Sequence, residues 1–208
     1  MRRVWVDPAA PQRDAIEEAA KWIVHGRVVA LPTDTFYGLS VDPFRQDAVE
    51  RLFAVKERDV NRAIPLIAAD VDQVVTSLGA LSATATRLAL RYWPGPLTLI
   101  VPAPRTIAAA VTAGTHSVGV RVPNHDVARA VARACGRPVT STSANISGAP
   151  PTDDPDVVED TLGDRIEMLV DCGKTAGGAP STILDVTSAT PRLVRTGAVD
   201  WDELQQWL

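Results

Sequence analysis

The sequence predicts an α/β or α+β domain, and three features carry that prediction. Apolar residues recur at helical spacing in several stretches, beginning with Ile16, Ala19, Ala20 and Ile23. Between such stretches lie short β-rich runs, among them Val28-Val29-Ala30-Leu31 and Val118-Gly119-Val120-Arg121-Val122. The two kinds of segment follow one another irregularly, unlike the strand–helix alternation of a doubly wound nucleotide fold. With 208 residues, 46% apolar and 22% charged, the chain has material for one sizeable core. No internal repeat or composition break marks a second domain, so one domain over residues 1–208 is expected.

The first helix carries the stripe just named and stops at Gly26. Val28 to Leu31 is a buried strand ended by Pro32. A turn, Pro32-Thr33-Asp34-Thr35, leads into Phe36-Tyr37-Gly38-Leu39. Ala48, Leu52, Phe53 and Val55 outline a second helix, and Pro65 to Ala68 is a short strand. Leu81 to Trp93 is a helix closed by Pro94-Gly95-Pro96, followed by the aliphatic strand Leu97 to Val101. Val118 to Val122 alternates as a strand. Pro123-Asn124-His125-Asp126 opens a helix whose stripe is Val127, Ala130, Val131 and Ala134. Val139-Thr140 restarts a strand that runs into Ser141-Thr142-Ser143-Ala144-Asn145. The Pro- and Asp-rich stretch Gly148 to Pro155 is read as an exposed loop. Met168 to Val170 and Thr182 to Val186 are strands, separated by a Gly-rich connection, Gly173 to Pro180. Arg192 to Arg195 is a last strand, and a small helix over 200–207 closes the chain.

Composition excludes several classes. A net charge of −4 argues against a broad nucleic-acid-coating surface, which needs a basic face, but leaves room for a local basic pocket. Cys135 and Cys172 form no CxxC, so neither a structural zinc site nor a disulfide framework is expected. A reducing cytoplasm is the natural compartment. Met1-Arg2-Arg3 is followed by Asp7 and Pro8 instead of a secretory apolar core. No apolar run approaches the roughly 18 residues of a membrane span. His25, His116 and His125 are scattered, and neither HExxH nor a Walker loop occurs.

Polar residues fall at the ends of the apolar strands, where side chains and backbone amides converge. The candidates are Thr33, Thr35, Lys56, Arg58, Arg121, Ser141, Ser143, Asn145, Ser181 and Arg195. Lys56/Arg58 and Ser143/Asn145 are each two residues apart. Extended residues at that spacing face one side, whereas helical ones diverge. Lys56 and Arg58 therefore meet one ligand only where the helix before them has ended. Two cations and two small neutral polar groups suit a phosphate chain. The cations offset its charge, and the hydroxyl and amide complete the oxygen shell of the phosphate or its metal. Each candidate has a plainer reading. Thr33 and Asp34 can simply form a turn or cap, Lys56 and Arg58 a solvated helix end, and residues 141–145 a loop. Arg121, in an otherwise apolar strand, points to a ligand or a buried partner. Lacking a recognisable nucleophile, the chain would catalyse by positioning reactants and stabilising charge.

Taken together and in order, LPTDTFYGL at 31–39, Lys56-Glu57-Arg58, Pro65-Leu66-Ile67, WPGPLTLIVPA at 93–103, VGVRVPNH at 118–125, TSTSANISG at 140–148, PSTILDV at 180–186 and LVRTGAV at 193–199 resemble the YrdC family, the threonylcarbamoyl-AMP synthases. The likeness runs from about residue 12 to about residue 197 and is to the short, single-domain form. It departs at 59–64, which lacks the family's usual proline, and at Ser40-Val41, where the family has Gly-Cys or Gly-Ala. It implies a twisted mixed sheet with flanking helices and a deep, positively lined cavity. It implies that L-threonine, bicarbonate and ATP, the last with Mg²⁺, condense to threonylcarbamoyl-adenylate and pyrophosphate. The adenylate would pass to the proteins that threonylcarbamoylate tRNA, with tRNA itself a further candidate partner. By the same resemblance Lys56, Arg58, Ser143 and Asn145 act at the nucleotide, with Ser141 and Arg195 against it. Thr33 and Tyr37 help hold threonine, and Arg121 and Ser181 contact its carboxylate. Mg²⁺ would arrive on ATP, with no protein ligand assigned. Two alternatives stand beside this. One is a non-catalytic module binding tRNA or double-stranded RNA, which the acidic net charge disfavours. The other is carbamoyl transfer from carbamoyl phosphate, as in larger proteins with a related domain.

Overall fold

A computed structural model describes residues 1–57 and 62–208. The element order is β1 (Arg2–Trp5), α1 (Arg13–Val24), β2 (Val29–Leu31), β3 (Gly38–Ser40), α2 (Gln46–Lys56), β4 (Leu66–Ile67), α3 (Val71–Leu78), α4 (Ala83–Tyr92), β5 (Leu97–Pro102), α5 (Ala109–Thr112), β6 (Ser117–Arg121), α6 (Asp126–Ala134), β7 (Val139–Thr140), β8 (Thr142–Ser143), α7 (Pro155–Leu162), β9 (Met168–Asp171), β10 (Thr182–Asp185), β11 (Arg192–Arg195) and α8 (Trp201–Gln205). The mixed α/β class expected from the sequence is present, with its strands shared between two mixed sheets. One has the order β1-β9-β2-β3-β8 and the other β11-β10-β5-β6-β4-β7.

Side-chain alternation explains why these strands read as unbroken apolar runs. Val29 and Leu31 join one core cluster, whereas Val28 and Ala30 join the other. Met168 and Val170 are divided from Leu169 in the same way, and Ile67 from Leu66. A strand covered on both faces has no solvent side, so its pattern carries no polar beat. The smaller cluster is roofed by α1, through Ala15, Ile16, Ala19, Ala20 and Ile23, and by α6, through Val127, Ala128 and Val131. The larger is filled by α2, α4, β5 and β6 and closed by α7.

The two sheets meet at a point that shapes the site. Strand β7 ends at Thr140 in one sheet and β8 begins at Thr142 in the other, so Ser141 alone spans the change. Its N–H donates to the carbonyl of Pro65, just before β4. Beside it Gly38 pairs with Ser143 across β3 and β8. A Cβ on Gly38 would lie 2.8 Å from Ser141 Oγ, which is why glycine stands there.

Strand β1 and helices α3, α5 and α7 are among the elements that carry no expectation from the sequence. Strand β1 is a short edge strand, two arginines followed by Val4 and Trp5, held by Arg3, whose guanidinium pairs with Asp156, Glu159 and Asp171. Helix α3 buries only Val74 and Leu78 and is started by Asp70, which accepts from the Gln73 N–H. Helix α7 starts where the loop reading stopped. Asp154 caps it and Pro155 occupies its first turn, where a missing N–H costs nothing.

Candidate active site

A cavity of about 590 Å³ opens between the sheets, lined on one side by Thr33, Thr35, Tyr37 and Gly38 and on another by Ser141, Thr142 and Ser143. Thr98, Arg121, Ser181 and Arg195 come to it from the second sheet and its connections. Arg121 and Arg195 are cations in this lining, and it includes no acidic side chain among the described residues.

The turn after β2 is built by Thr33. Its hydroxyl donates to the carbonyl of Phe36 at 2.7 Å and accepts from the Thr35 N–H at 3.2 Å. Asp34 is thereby turned toward Arg121, with Arg121 Nη1 2.6 Å from Asp34 Oδ1. Arg121 thus has both the buried partner and the cavity-facing position that its apolar strand suggests. Opposite, Arg195 donates through Nε and Nη2 to the carbonyl of Ser181 and through Nη2 to its hydroxyl. Desolvation, and secondarily the Arg121 charge, hold the Arg195 pKa below its ordinary value. Ser181 Oγ also lies 2.8 Å from Thr98 Oγ1.

Lys56 is arranged differently from a cation that faces the cavity directly. Helix α2 ends on Lys56 itself, and Glu57 takes a left-handed conformation with φ of 51°, so Lys56 is still helical where the i, i+2 argument asks for extended backbone. Lys56 is 2% exposed, and its ammonium donates to the carbonyls of Ser143 and Asn145 and to Asn145 Oδ1. Ser143 Oγ in turn donates to Asn145 Oδ1 at 2.7 Å. Lys56, Ser143 and Asn145 are therefore one hydrogen-bonded unit, in which Ser143 faces the cavity while Lys56 and Asn145 stand behind it. Arg58 lies outside the described residues, as does the 59–61 part of the segment after it. Tyr37 is fully buried, donates its hydroxyl to the carbonyl of Gly173 at 2.7 Å and accepts from the Cys172 N–H at 3.1 Å. Burial raises its pKa, so the phenol stays protonated and pinned to the backbone.

Two connections complete the walls. The Tyr37 N–H donates to the carbonyl of Thr152, and the Gly177 N–H and Thr175 hydroxyl donate to that of Thr35. Asp34 and Thr98 carry part of this geometry without having been singled out from sequence as site residues. The signal for Thr98 was available: it is a polar residue between Leu97 and Leu99 in a buried strand, as Arg121 is in its own.

The family model for Sua5, YciO and YrdC, described as telomere recombination, matches residues 21–197. The chain belongs to the Sua5/YciO/YrdC family. Within the Sua5/YciO/YrdC family it is 37% identical over 200 residues to a threonylcarbamoyl-AMP synthase of Pyrococcus abyssi, across 93% of this chain and 58% of that protein. It is 35% identical over 187 residues to one of Vibrio parahaemolyticus, across 88% of this chain and 100% of that protein. The solved structure of Pyrococcus abyssi Sua5 complexed with L-threonine superposes with a TM-score of 0.94 at 32% identity, covering 100% of this chain and 61% of that one. The chain thus spans little more than half the length of the Pyrococcus relative and the whole of the Vibrio one. No helix among the described residues is long and apolar enough to cross a membrane.

Proposed function

We propose that this chain is an L-threonylcarbamoyladenylate synthase, a nucleotidyltransferase that joins L-threonine, bicarbonate and ATP with release of pyrophosphate. The observation that carries the reading is the convergence of Arg121, Ser181 and Arg195 with the Ser141–Ser143 wall on one cavity, in a fold that superposes on a threonine-bound relative. In this reading the threonine carboxylate lies against Arg121 and Ser181, with Thr33 shaping the adjoining turn. Tyr37 serves by fixing the 172–173 backbone behind that seat.

The amine adds bicarbonate with loss of water to give a carbamate. A carbamate oxygen then bonds to the α-phosphorus as the bond to the pyrophosphate oxygen breaks. Carbamates decompose in water, so enclosure beside the nucleotide matters more than a protein nucleophile. Arg195, Ser141 and Ser143 are the groups assigned to the nucleotide. Lys56 and Asn145 act by holding Ser143, and Arg58 is assigned to the phosphates by resemblance. Mg²⁺ is a hard cation that takes oxygen ligands, so the hydroxyl wall of Ser141 and Ser143 is chemically suited to it. When bound on the triphosphate it would neutralise part of the charge. The adenylate would then pass to the proteins that modify tRNA, in the cytoplasm.

The test is pyrophosphate release from ATP and Mg²⁺ with and without threonine and bicarbonate. Release that requires both, with the adenylate identified by mass spectrometry, is expected. Folded protein that releases none in their presence would overturn the reading.

A further inference from the structure

Among the described residues two guanidinium groups line the cavity, and their surroundings differ. Arg121 is paired with a carboxylate, Asp34, at 2.6 Å, and the two side chains are only 9% and 12% exposed. Its second nitrogen, Nη2, lies 3.5 Å from Thr35 Oγ1. Arg195 has neutral partners, the carbonyl and hydroxyl of Ser181. Asp34 sits between Thr33 and Thr35, both of which line the cavity, and the Thr33 turn fixes its direction.

We propose that Asp34 is the positioning residue that divides this cavity into two anion seats, by fixing the fork of Arg121 and cancelling its charge. The inference rests on the synthase reading and adds a residue to it. The problem it answers is one of discrimination. A triphosphate and an amino-acid carboxylate enter the same cavity, and an unpaired guanidinium would favour the more highly charged of them. With Asp34 in place, Arg121 presents directed donors and little net field, which suits the single negative charge of a zwitterion. Arg195, whose hydrogen-bond partners among the described residues are neutral, keeps its charge for phosphate. Asp34 thus works partly by disfavouring the wrong occupant of the threonine seat, a repulsive contribution to specificity.

Asp34→Asn keeps an oxygen acceptor for Arg121 and removes the charge. In steady-state pyrophosphate release its KM for threonine should rise about tenfold while the KM for ATP stays within about twofold. Excess ATP should become an inhibitor competitive with threonine in this variant, and should not be one in the parent chain. That inhibition is a readout that loss of packing would not produce. Asp34→Glu keeps the charge and displaces the fork, so it should raise the threonine KM without ATP inhibition. Far-UV circular dichroism checks that both variants are folded. Calorimetric titration of threonine, without turnover, supplies the comparison independently of catalysis. Unchanged threonine binding in folded Asp34→Asn would overturn the proposal, as would equal loss for threonine and ATP with no ATP inhibition. A parent chain that binds threonine but releases no pyrophosphate would sink the synthase reading, and the calorimetric comparison of parent and Asp34→Asn would then decide the role of Asp34 by itself.

Discussion

At the scale of single residues, Lys56 is the sharpest case. Its ammonium satisfies three buried oxygens on Ser143 and Asn145, so truncation removes a donor from each. Lys56→Ala should cost about 1–3 kcal/mol of stability, read from urea unfolding. It should lower pyrophosphate release by more than about tenfold, because Ser143 loses its support. A folded variant with full activity would refute that assignment. Gly38→Ala tests the wall from the other side. The new methyl would crowd Ser141 Oγ at 2.8 Å, and a serine hydroxyl can swing away at a cost of about 1 kcal/mol or less. Activity is therefore expected to fall much further than the melting temperature does. Sequence spacing identified the residue types of this wall, since small polar residues after a strand are conspicuous. It left the direction of Lys56 unread, because an i, i+2 argument says which side a residue faces and nothing about which acceptors it finds there.

At the scale of elements, the segment after β11 is held by contact so close that only glycine fits. A Cβ on Gly197 would come within 2.2 Å of the Pro180 carbonyl oxygen and 2.5 Å of the Thr182 nitrogen, both backbone atoms. Beyond it the Ala198 N–H bonds to Pro180, and the Val199 backbone exchanges bonds with the Thr182 hydroxyl. Gly197→Ala should lose about 3 kcal/mol of stability. It should also weaken ATP use, since Ser181 and Arg195 flank the displaced backbone, and chemical denaturation with ATP titration checks both. The long helices and buried strands were legible from period and composition. Helix α7 was not, because Asp154-Pro155 has the composition of a turn and is equally a helix start, with Asp as cap and Pro in the first turn. Strand β1 was unread because a four-residue edge strand with two arginines has no apolar beat. It stays in place through Arg3, whose pKa is raised by its hydrogen bonds to Glu159, Asp171 and Asp156.

At the scale of the whole molecule, burial sets an alkaline limit. Desolvation pushes the thiols of Cys135 and Cys172 up to about 12 from the ordinary value of 9.0. The unfolded chain releases these protons near pH 9 and the folded chain retains them. The stability they leave intact below pH 9 is thus lost as pH rises toward 12, by about 1.4 kcal/mol per group per unit. Tyr37 acts in the same direction. The urea midpoint should fall between pH 8 and pH 10.5, and a flat profile would contradict this burial. The mixed α/β class was legible from the sequence, whereas the division of its apolar residues into two core clusters was not. The division into two sheets was not, because pairings such as β1 with β9 or β4 with β7 join distant segments whose local pattern is the same in either sheet. That division has a mechanical consequence. With one serine between a strand of one sheet and a strand of the other, this crossing is a joint one residue long, and the cavity is its open angle. A ligand gripping both sides acts as a wedge set in a hinge. Hydrogen exchange should therefore slow on threonine and ATP binding at β11 and β9, strands of different sheets, as well as at the residues the ligands touch.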